Sequence, residues 1–413
     1  MDVGRIDLGF HAGASAEQVI EIERPLLPLY VRVGGDDEAA GTAPESALAT
    51  LGAAARLAAA GITVVVGPGT YAENNISPRR NSGVVTFFAD ADGVATLDAP
   101  GIVLIDAGLD APAFFLGNAC ESVVDGFHVR GGESGIQVRD GSDRAWVTNN
   151  VIFSARTRGV DVWASRDVRV TNNLVYANGG GVQVLDAPLA LVANNTIHGN
   201  TFNGIFVHGA SSLCTRIRYN IIEDNLARGL LVRLLPQIVE WNINTDEYLG
   251  IARPDSDRND SALLADPAGS DGVLGGTGFA DDVFQLRADS SAIDLVDLAV
   301  GDTELAQRSA TADGIPDRGR LDAGFHYPAE LRDPATRSAA TALADEQDFE
   351  LCDELLAEPQ PTPGTEPRGG GSGGCSVAPR PAVGLFVPSS LILLGYLVLG
   401  RDRSRRASTS RAW

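Results

Sequence analysis

Between residues 135 and 232 the apolar positions fall in short alternating runs separated by glycine and asparagine. One run is a glycine followed by apolar, variable, apolar. It occurs as Gly135-Ile136-Gln137-Val138, Gly159-Val160-Asp161-Val162, Gly181-Val182-Gln183-Val184, Gly204-Ile205-Phe206-Val207 and Gly229-Leu230-Leu231-Val232, at offsets of 24, 22, 23 and 25 residues. A second run keeps phase with it and ends in a polar corner: Val147-Thr148-Asn149-Asn150, Val170-Thr171-Asn172-Asn173, Val192-Ala193-Asn194-Asn195 and Ile217-Arg218-Tyr219-Asn220. Alternation of period two is the signature of a strand with one buried face. Repetition at a fixed period means stacked units.

Two such runs per repeat leave no room for a long helix, and the Leu-x-x-Leu-x-Leu frame of leucine-rich repeats is absent. The period fits one coil of a parallel β-helix, in which each turn of chain stacks on the last. The pattern predicts Ile136 and Val138 in the bore and Gln137 outside. The second Asn of each corner is expected to adopt the left-handed conformation and to bond the same Asn one coil away.

Outward positions then stack into ladders. One reads Gln137, Asp161, Gln183, Phe206, Leu231; its neighbour reads Arg139, Trp163, Leu185, His208, Arg233. Trp163 and Phe206 are candidates to stack on sugar rings, with Gln137 and Gln183 as further substrate-binding residues. Asp161, His208 and Arg139 are candidates to hold hydroxyls or to act as acid or base. An ordinary solvated sheet face is the competing reading.

The Asn-Asn corners and Gly-[Ile/Val]-x-Val strands resemble the repeats of the pectate-lyase-like superfamily of right-handed parallel β-helices. Tyr30 to Asp37, an Ala-rich stretch at 46–60 and Thr63 to Glu73 are similar to the opening of secreted bacterial members, where the Ala-rich helix caps the bore. Phe284-Gln285-Leu286, Ser290 to Asp294 and Asp317 to Tyr327 resemble the end of the choice-of-anchor Q type, which is carried on various surface anchors. The superfamily's lyases, galacturonidases and esterases use grouped acidic residues and arginines in motifs that do not occur here, so no catalytic residue carries over from them. A structural or carbohydrate-binding module at the cell surface is expected, with a polysaccharide lyase or glycoside hydrolase as the alternative.

The segment Asp2 to His11 repeats Asp317 to His326 without a gap, differing only at Val3, Ile6 and Leu8. No basic-then-apolar secretory signal opens the chain. Both observations suggest an internal start in a longer exported reading frame, with residues 1–28 a remnant of a preceding module. The expected organisation continues with the β-helix over 29–250, a closing segment over 251–330, a helical then Pro/Gly-rich linker over 331–374 and a sorting signal over 375–406. From Ala382 to Gly400 the tail is apolar except around Pro388, Ser389 and Ser390, and Arg401 to Arg406 follow. Such a stretch is long enough to cross a bilayer, with the arginines on the cytoplasmic side. The linker, the Cys375-Ser376 pair, the apolar span and the arginine cluster resemble bacterial CTERM sorting tails of the JDVT, MYXO or GlyGly types. The resemblance implies processing at Cys375 by an envelope sorting protease and a place on the extracytoplasmic face of the envelope.

Composition narrows the partners. The formal charge is −22 and there is no lysine. Nucleic acid is therefore disfavoured and none is expected as a partner, and a single arginine carries little meaning in so biased a composition. No cofactor is expected; calcium at the short acidic loops Asp90 to Gly93 or Asp313 to Asp317 is the weak alternative, since neither completes an EF-hand frame. Cys120 and Cys214 precede what read as equivalent strand starts, Val123 and Ile217, four coils apart. That is roughly 19 Å at one strand spacing per coil, so both are expected to remain unpaired thiols.

Overall fold

The computed structural model describes residues 27–80, 83–233 and 237–327. Within them the chain is an all-β parallel solenoid. Three sheets contain nine, eight and seven strands, which amounts to about eight coils. The first sheet runs from Leu29–Val31 to Ile238–Glu240, the second from Gly69–Tyr71 to Ile243–Asn244, and the third from Phe114–Gly117 to Tyr248–Leu249. Each strand pairs in parallel with its counterpart one coil away. Val124, Val147, Val170, Val192 and Ile217 stack in the first sheet, and Ile136, Val160, Val182, Ile205 and Leu230 in the third. All ten belong to one continuous apolar core. Ile217 is thus level with Val124, one residue away from the Val123 expected from the sequence.

The glycine that opens each third-sheet strand has a packing reason. A Cβ on Gly181 would run into the carbonyl oxygen of Gly204 on the next coil and lie 2.6 Å from Ile197 Cγ2. The bare backbone is what lets consecutive coils approach at this corner.

The polar corner divides its labour differently from the expectation. The left-handed residue is the first of each pair: Asn149 (φ 60), Asn172 (φ 51), Asn194 (φ 52) and Tyr219 (φ 63). The second is the ladder residue. Asn150 donates to Asn173 Oδ1 at 3.0 Å, Asn173 to Asn195 at 3.0 Å, Asn195 to Asn220 at 3.0 Å and Asn220 to Asn242 at 2.9 Å. Asp257 ends the series by accepting from Asn242 at 3.2 Å. These amides are buried, so each bond made inside the solenoid replaces one that water cannot supply. A second ladder joins Asn178, Asn200, Asn225 and Asp246 at the next corner.

A short helix, α1 (Leu51–Leu57), lies within the predicted Ala-rich stretch. Thr50 accepts from Ala53 N–H, and the Glu73 carboxylate accepts from the Leu51 and Gly52 N–H groups at 2.9 Å each. These acceptors meet the unpaired donors of a helix start. Leu51, Ala54 and Ala55 turn into the main core.

Residues 262–327 do not continue the coil. They lie along the outside of the second sheet, where several outward side chains are apolar. Leu104, Phe153, Leu174 and Tyr176 pack with Phe284 and Phe325, and Ile221 and Ile243 pack with Ala262, Leu286 and Leu295. The Phe153 and Tyr176 rings stack at 5.3 Å, and Phe284 meets Tyr176 at 4.6 Å.

Cys120 and Cys214 are both disulfide-bonded, and among the described residues no cysteine is free. The expectation of unpaired thiols is therefore wrong. Separation bars the two from pairing with each other and bears on no other pairing. No helix among the described residues is long and apolar enough to cross a membrane. The apolar stretch at 382–400, the linker, Cys375 and the Asp2 to His11 copy lie outside the described residues.

Candidate carbohydrate-facing surface and a buried closing triad

The third sheet brings the sequence-nominated residues together. Gln137, Asp161, Gln183, Phe206 and Leu231 stand in register on successive coils, as do Arg139, Trp163, Leu185 and His208. Parallel pairing at one strand spacing per coil places each about 5 Å from the next. Phe115 extends the first ladder by one coil.

Most of these groups already have protein partners. The Arg139 guanidinium lies 3.9 Å from the Trp163 ring centroid, and His208 stacks on Phe206 at 4.0 Å with planes 6° apart. Each aromatic face is thus partly occupied by a cation or an imidazole, which is a stabilising arrangement in itself. Gln183 donates to Asp161 Oδ1 at 2.9 Å and accepts from Arg158 Nε at 3.0 Å. Gln137 is turned to Glu133, donating at 3.0 Å, and is buried.

Burial raises the Asp161 carboxyl from its usual range, and the Arg139 and Arg158 guanidiniums oppose that shift. Burial depresses His208, and the nearby Arg233 and Arg158 depress it further, so the ring is neutral at pH 7. Among the orphaned polar atoms of the described residues, Arg139 Nε and His208 Nε2 lie on this face, screened from solvent.

A second constellation was missed in the sequence. Asp317, Asp322 and His326 bring three ligand atoms within 4.8 Å of one another. His326 is fully buried; its Nε2 lies 3.1 Å from Asp317 Oδ2 and its Nδ1 3.0 Å from the Gly324 carbonyl. Both ring nitrogens face acceptors. The Asp322 N–H donates to Asp317 Oδ2 at 3.0 Å, and Asp322 Oδ1 accepts from Asp294 N–H at 2.8 Å. Burial, with Asp317 nearby, pushes the Asp322 carboxyl up to about 6. The available signal was the repetition itself. Asp2, Asp7 and His11 occupy the same three places in the N-terminal copy, while the three differing positions fall elsewhere.

The loops weighed for calcium gather no comparable set. Asp90 is turned inward to Thr96, and Asp313 to Thr311 and Ile315 N–H. Of those two loops, only Asp317 enters the triad.

A family model described as right handed beta helix region matches residues 113–243. The solenoid is a right-handed parallel β-helix. Among solved structures, this β-helix is similar to XylC in complex with xylose, at 13% identity and TM-score 0.40, covering 54% of this chain and 66% of that one. It is also similar to the pectate lyase Pel9A (14% identity, TM-score 0.35, 64% of this chain and 90% of that one). A rhamnogalacturonan lyase matches at 12% identity and TM-score 0.27, over 63% and 97% of the two chains. No curated protein matches the chain.

Proposed function

We propose that this β-helix is an exported, envelope-anchored module that binds a polysaccharide along the outer face of its third sheet. The observation that carries the reading is the pair of orphaned, solvent-screened atoms, Arg139 Nε and His208 Nε2, beside the half-buried Trp163 and Phe206. A rotamer shift of Arg139 and His208 would turn these screened atoms toward a sugar, whose hydroxyl or carboxylate oxygens would satisfy the Arg139 donor while His208 Nε2 meets a hydroxyl. The coil repeat matches an extended polymer better than a compact ligand, because equivalent positions recur along one axis. Arg139, Arg158 and Arg233 on an otherwise acidic protein favour uronate-containing chains, since guanidinium groups bind carboxylates in a bidentate manner.

Export is supported by the disulfide-bonded Cys120 and Cys214, which belong to an oxidising compartment. Binding is favoured over catalysis because Asp161 is already held between Gln183 and two guanidiniums. Hydrolysis of a glycosidic bond calls for a pair of carboxyl groups facing one bond.

The test is binding of the full chain to a panel of uronate and neutral glycans, with and without calcium, alongside an assay for newly formed chain ends. Binding without turnover, weakened in Trp163→Ala and Arg139→Ala, is expected. Turnover abolished by Asp161→Ala would move the assignment to the lyase or hydrolase reading. Absence of binding to every glycan would sink both.

A further inference from the structure

The buried triad of the closing segment has no part in the glycan-facing surface. Asp317, Asp322 and His326 are 9%, 3% and 0% exposed, and one ligand atom of each lies within 4.8 Å of the other two. The solenoid holds two of the three by their backbones. Asn172 brackets the N–H and carbonyl of His326, and Asn194 Nδ2 donates to the Asp322 carbonyl at 3.2 Å. The carboxylates are oriented by N–H groups: Asp294 N–H donates to Asp322 Oδ1 at 2.8 Å, and Asp322 N–H to Asp317 Oδ2 at 3.0 Å.

The Gly324 carbonyl can only accept, so His326 Nδ1 carries hydrogen. Nε2 then faces Asp317 Oδ2 at 3.1 Å. That contact holds a second proton, on the ring or on the carboxyl, or it holds a metal ion. Two observations favour the ion. Even with the ring protonated, two buried carboxylates stand against one imidazolium, and uncompensated buried charge is costly. Arg320 of the same segment is turned to the Val296 and Leu295 carbonyls, and Arg308 donates to the His326 carbonyl. Independently, Asn194 is fully buried, and its Oδ1, on the other arm of the amide that holds Asp322, has no partner. A water on a bound cation supplies the donor that such an acceptor lacks.

The spacing suits an ion. With bonds of about 2.0–2.2 Å, ligand atoms 3.1 Å apart subtend an angle of about 100° at a metal, between octahedral and tetrahedral values. One imidazole with two carboxylates matches zinc or a neighbouring transition metal, whereas calcium takes oxygen ligands. An Nδ1–H bonded to a backbone carbonyl is the usual outer support of an Nε2 ligand. We propose that Asp317, Asp322 and His326 bind one divalent transition-metal ion of the zinc type, which locks the end of the closing segment onto the coils. The ion neutralises both carboxylates, and its burial makes the role structural.

The test uses the full chain, stripped with a chelator, reloaded with zinc chloride and read for metal content. His326→Gln and Asp317→Asn are each expected to lower bound zinc by one equivalent per chain. Asp317→Asn retains an oxygen to accept the Asp322 N–H, so its circular dichroism should match the parent's. Zinc content equal to the parent's in both variants overturns the proposal. So does a stripped parent that takes up no zinc, which would leave a proton between Nε2 and Asp317. X-ray absorption of the parent with one equivalent of zinc is independent of how any variant folds. One imidazole nitrogen with oxygen ligands is expected; sulfur ligands, or two or more imidazoles, overturn the proposal. Free zinc at ten times its Kd should slow proteolysis within 262–327 of the stripped parent by about tenfold, and an unchanged rate overturns the structural lock.

Discussion

The side chain of Asn172 holds both backbone polar groups of His326: its Oδ1 accepts the His326 N–H at 2.7 Å and its Nδ2 donates to the His326 carbonyl at 3.0 Å. Asn172 is one of the left-handed corner residues, so its amide points away from the bore. Asn194, one coil on, donates to the Asp322 carbonyl at 3.2 Å. Thr196 Oγ1 accepts the Phe325 N–H at 3.0 Å, and the Tyr219 carbonyl accepts the Gly324 N–H at 2.9 Å. The closing segment therefore runs across successive coils and is read by the corners of the solenoid. Gly324 is required there: its φ is +90, and a Cβ would collide with Ile221 Cδ1 and lie 2.8 Å from Thr196 Oγ1.

Asn172→Ala leaves the His326 N–H buried without a partner, leaves its carbonyl only the long 3.4 Å bond from Arg308 Nη1, and removes the bond to Asn149. A loss of about 3 kcal/mol is expected, at roughly 1–3 kcal/mol for each orphaned buried group. Urea unfolding measures it, and limited proteolysis should show cleavage within 262–327 before the coils open. Equal protease resistance in parent and variant would contradict the clamp.

Asn195→Asp tests the inner ladder. The substituted carboxylate would face Asn220 Oδ1 and the Val170 and Ala193 carbonyls, all of which now accept from the amide. Acceptor against acceptor in a dry corner is expected to cost on the order of 3 kcal/mol or more, and more than Asn195→Ala. Thermal unfolding of the two variants side by side gives the order.

Gly181→Ala adds one methyl group where the Gly204 carbonyl already stands. Overpacking against backbone is expected to lower stability by about 3 kcal/mol. The same exchange at Gly314, where nothing lies within 4 Å of an added Cβ, is expected to cost only the strain of its positive φ. Comparable losses at both sites would show that close approach of coils is not the reason for the repeat glycine.

Two buried groups under the closing segment give opposing pH dependences. Burial pushes the Glu223 carboxyl from 4.5 up to about 7, where it accepts the Ala262 N–H. Its contribution is fully present below pH 4.5 and is lost as pH rises through about 7. Burial also lowers His128 from 6.5 to about 4, so its contribution is full above pH 6.5 and is lost as pH falls through about 4. Each is on the order of 3 kcal/mol and the two offset one another. Glu223→Gln should therefore lose stability as pH falls, and His128→Phe as pH rises from 4.5 to 7. Identical pH slopes in the two variants would refute the assignment.

Much of the solenoid was legible because its signal is local and repeated. The alternation around Ile136 and Val138 marked the bore, and the Asn pairs marked a corner. Which Asn of each pair turns left-handed was not legible, because both residue types tolerate that conformation and only the path of the next coil decides. The third-sheet ladders were legible for the same reason of register. Their occupancy was not, since the placement of Arg139 on Trp163 and of His208 on Phe206 depends on rotamers chosen between coils. The covering of the second sheet had a signal in Val151-Ile152-Phe153 and Leu174-Val175-Tyr176, where both alternating positions are apolar. A strand with two apolar faces is buried on both.

The amino-acid sequence alone determined that this chain coils at 22–25 residues per turn around an apolar bore, because strand period and stacking period are properties of consecutive residues. It also set apart Asp317 to His326 as a unit, through its copy at Asp2 to His11. The tertiary structure decided where that unit goes. Asn172 and His326 are 154 residues apart, and no local pattern specifies a hydrogen bond across that separation. It arises because left-handed corners stacked coil upon coil present their amides in a line, and a passing strand with Gly324 at the tight point can satisfy them.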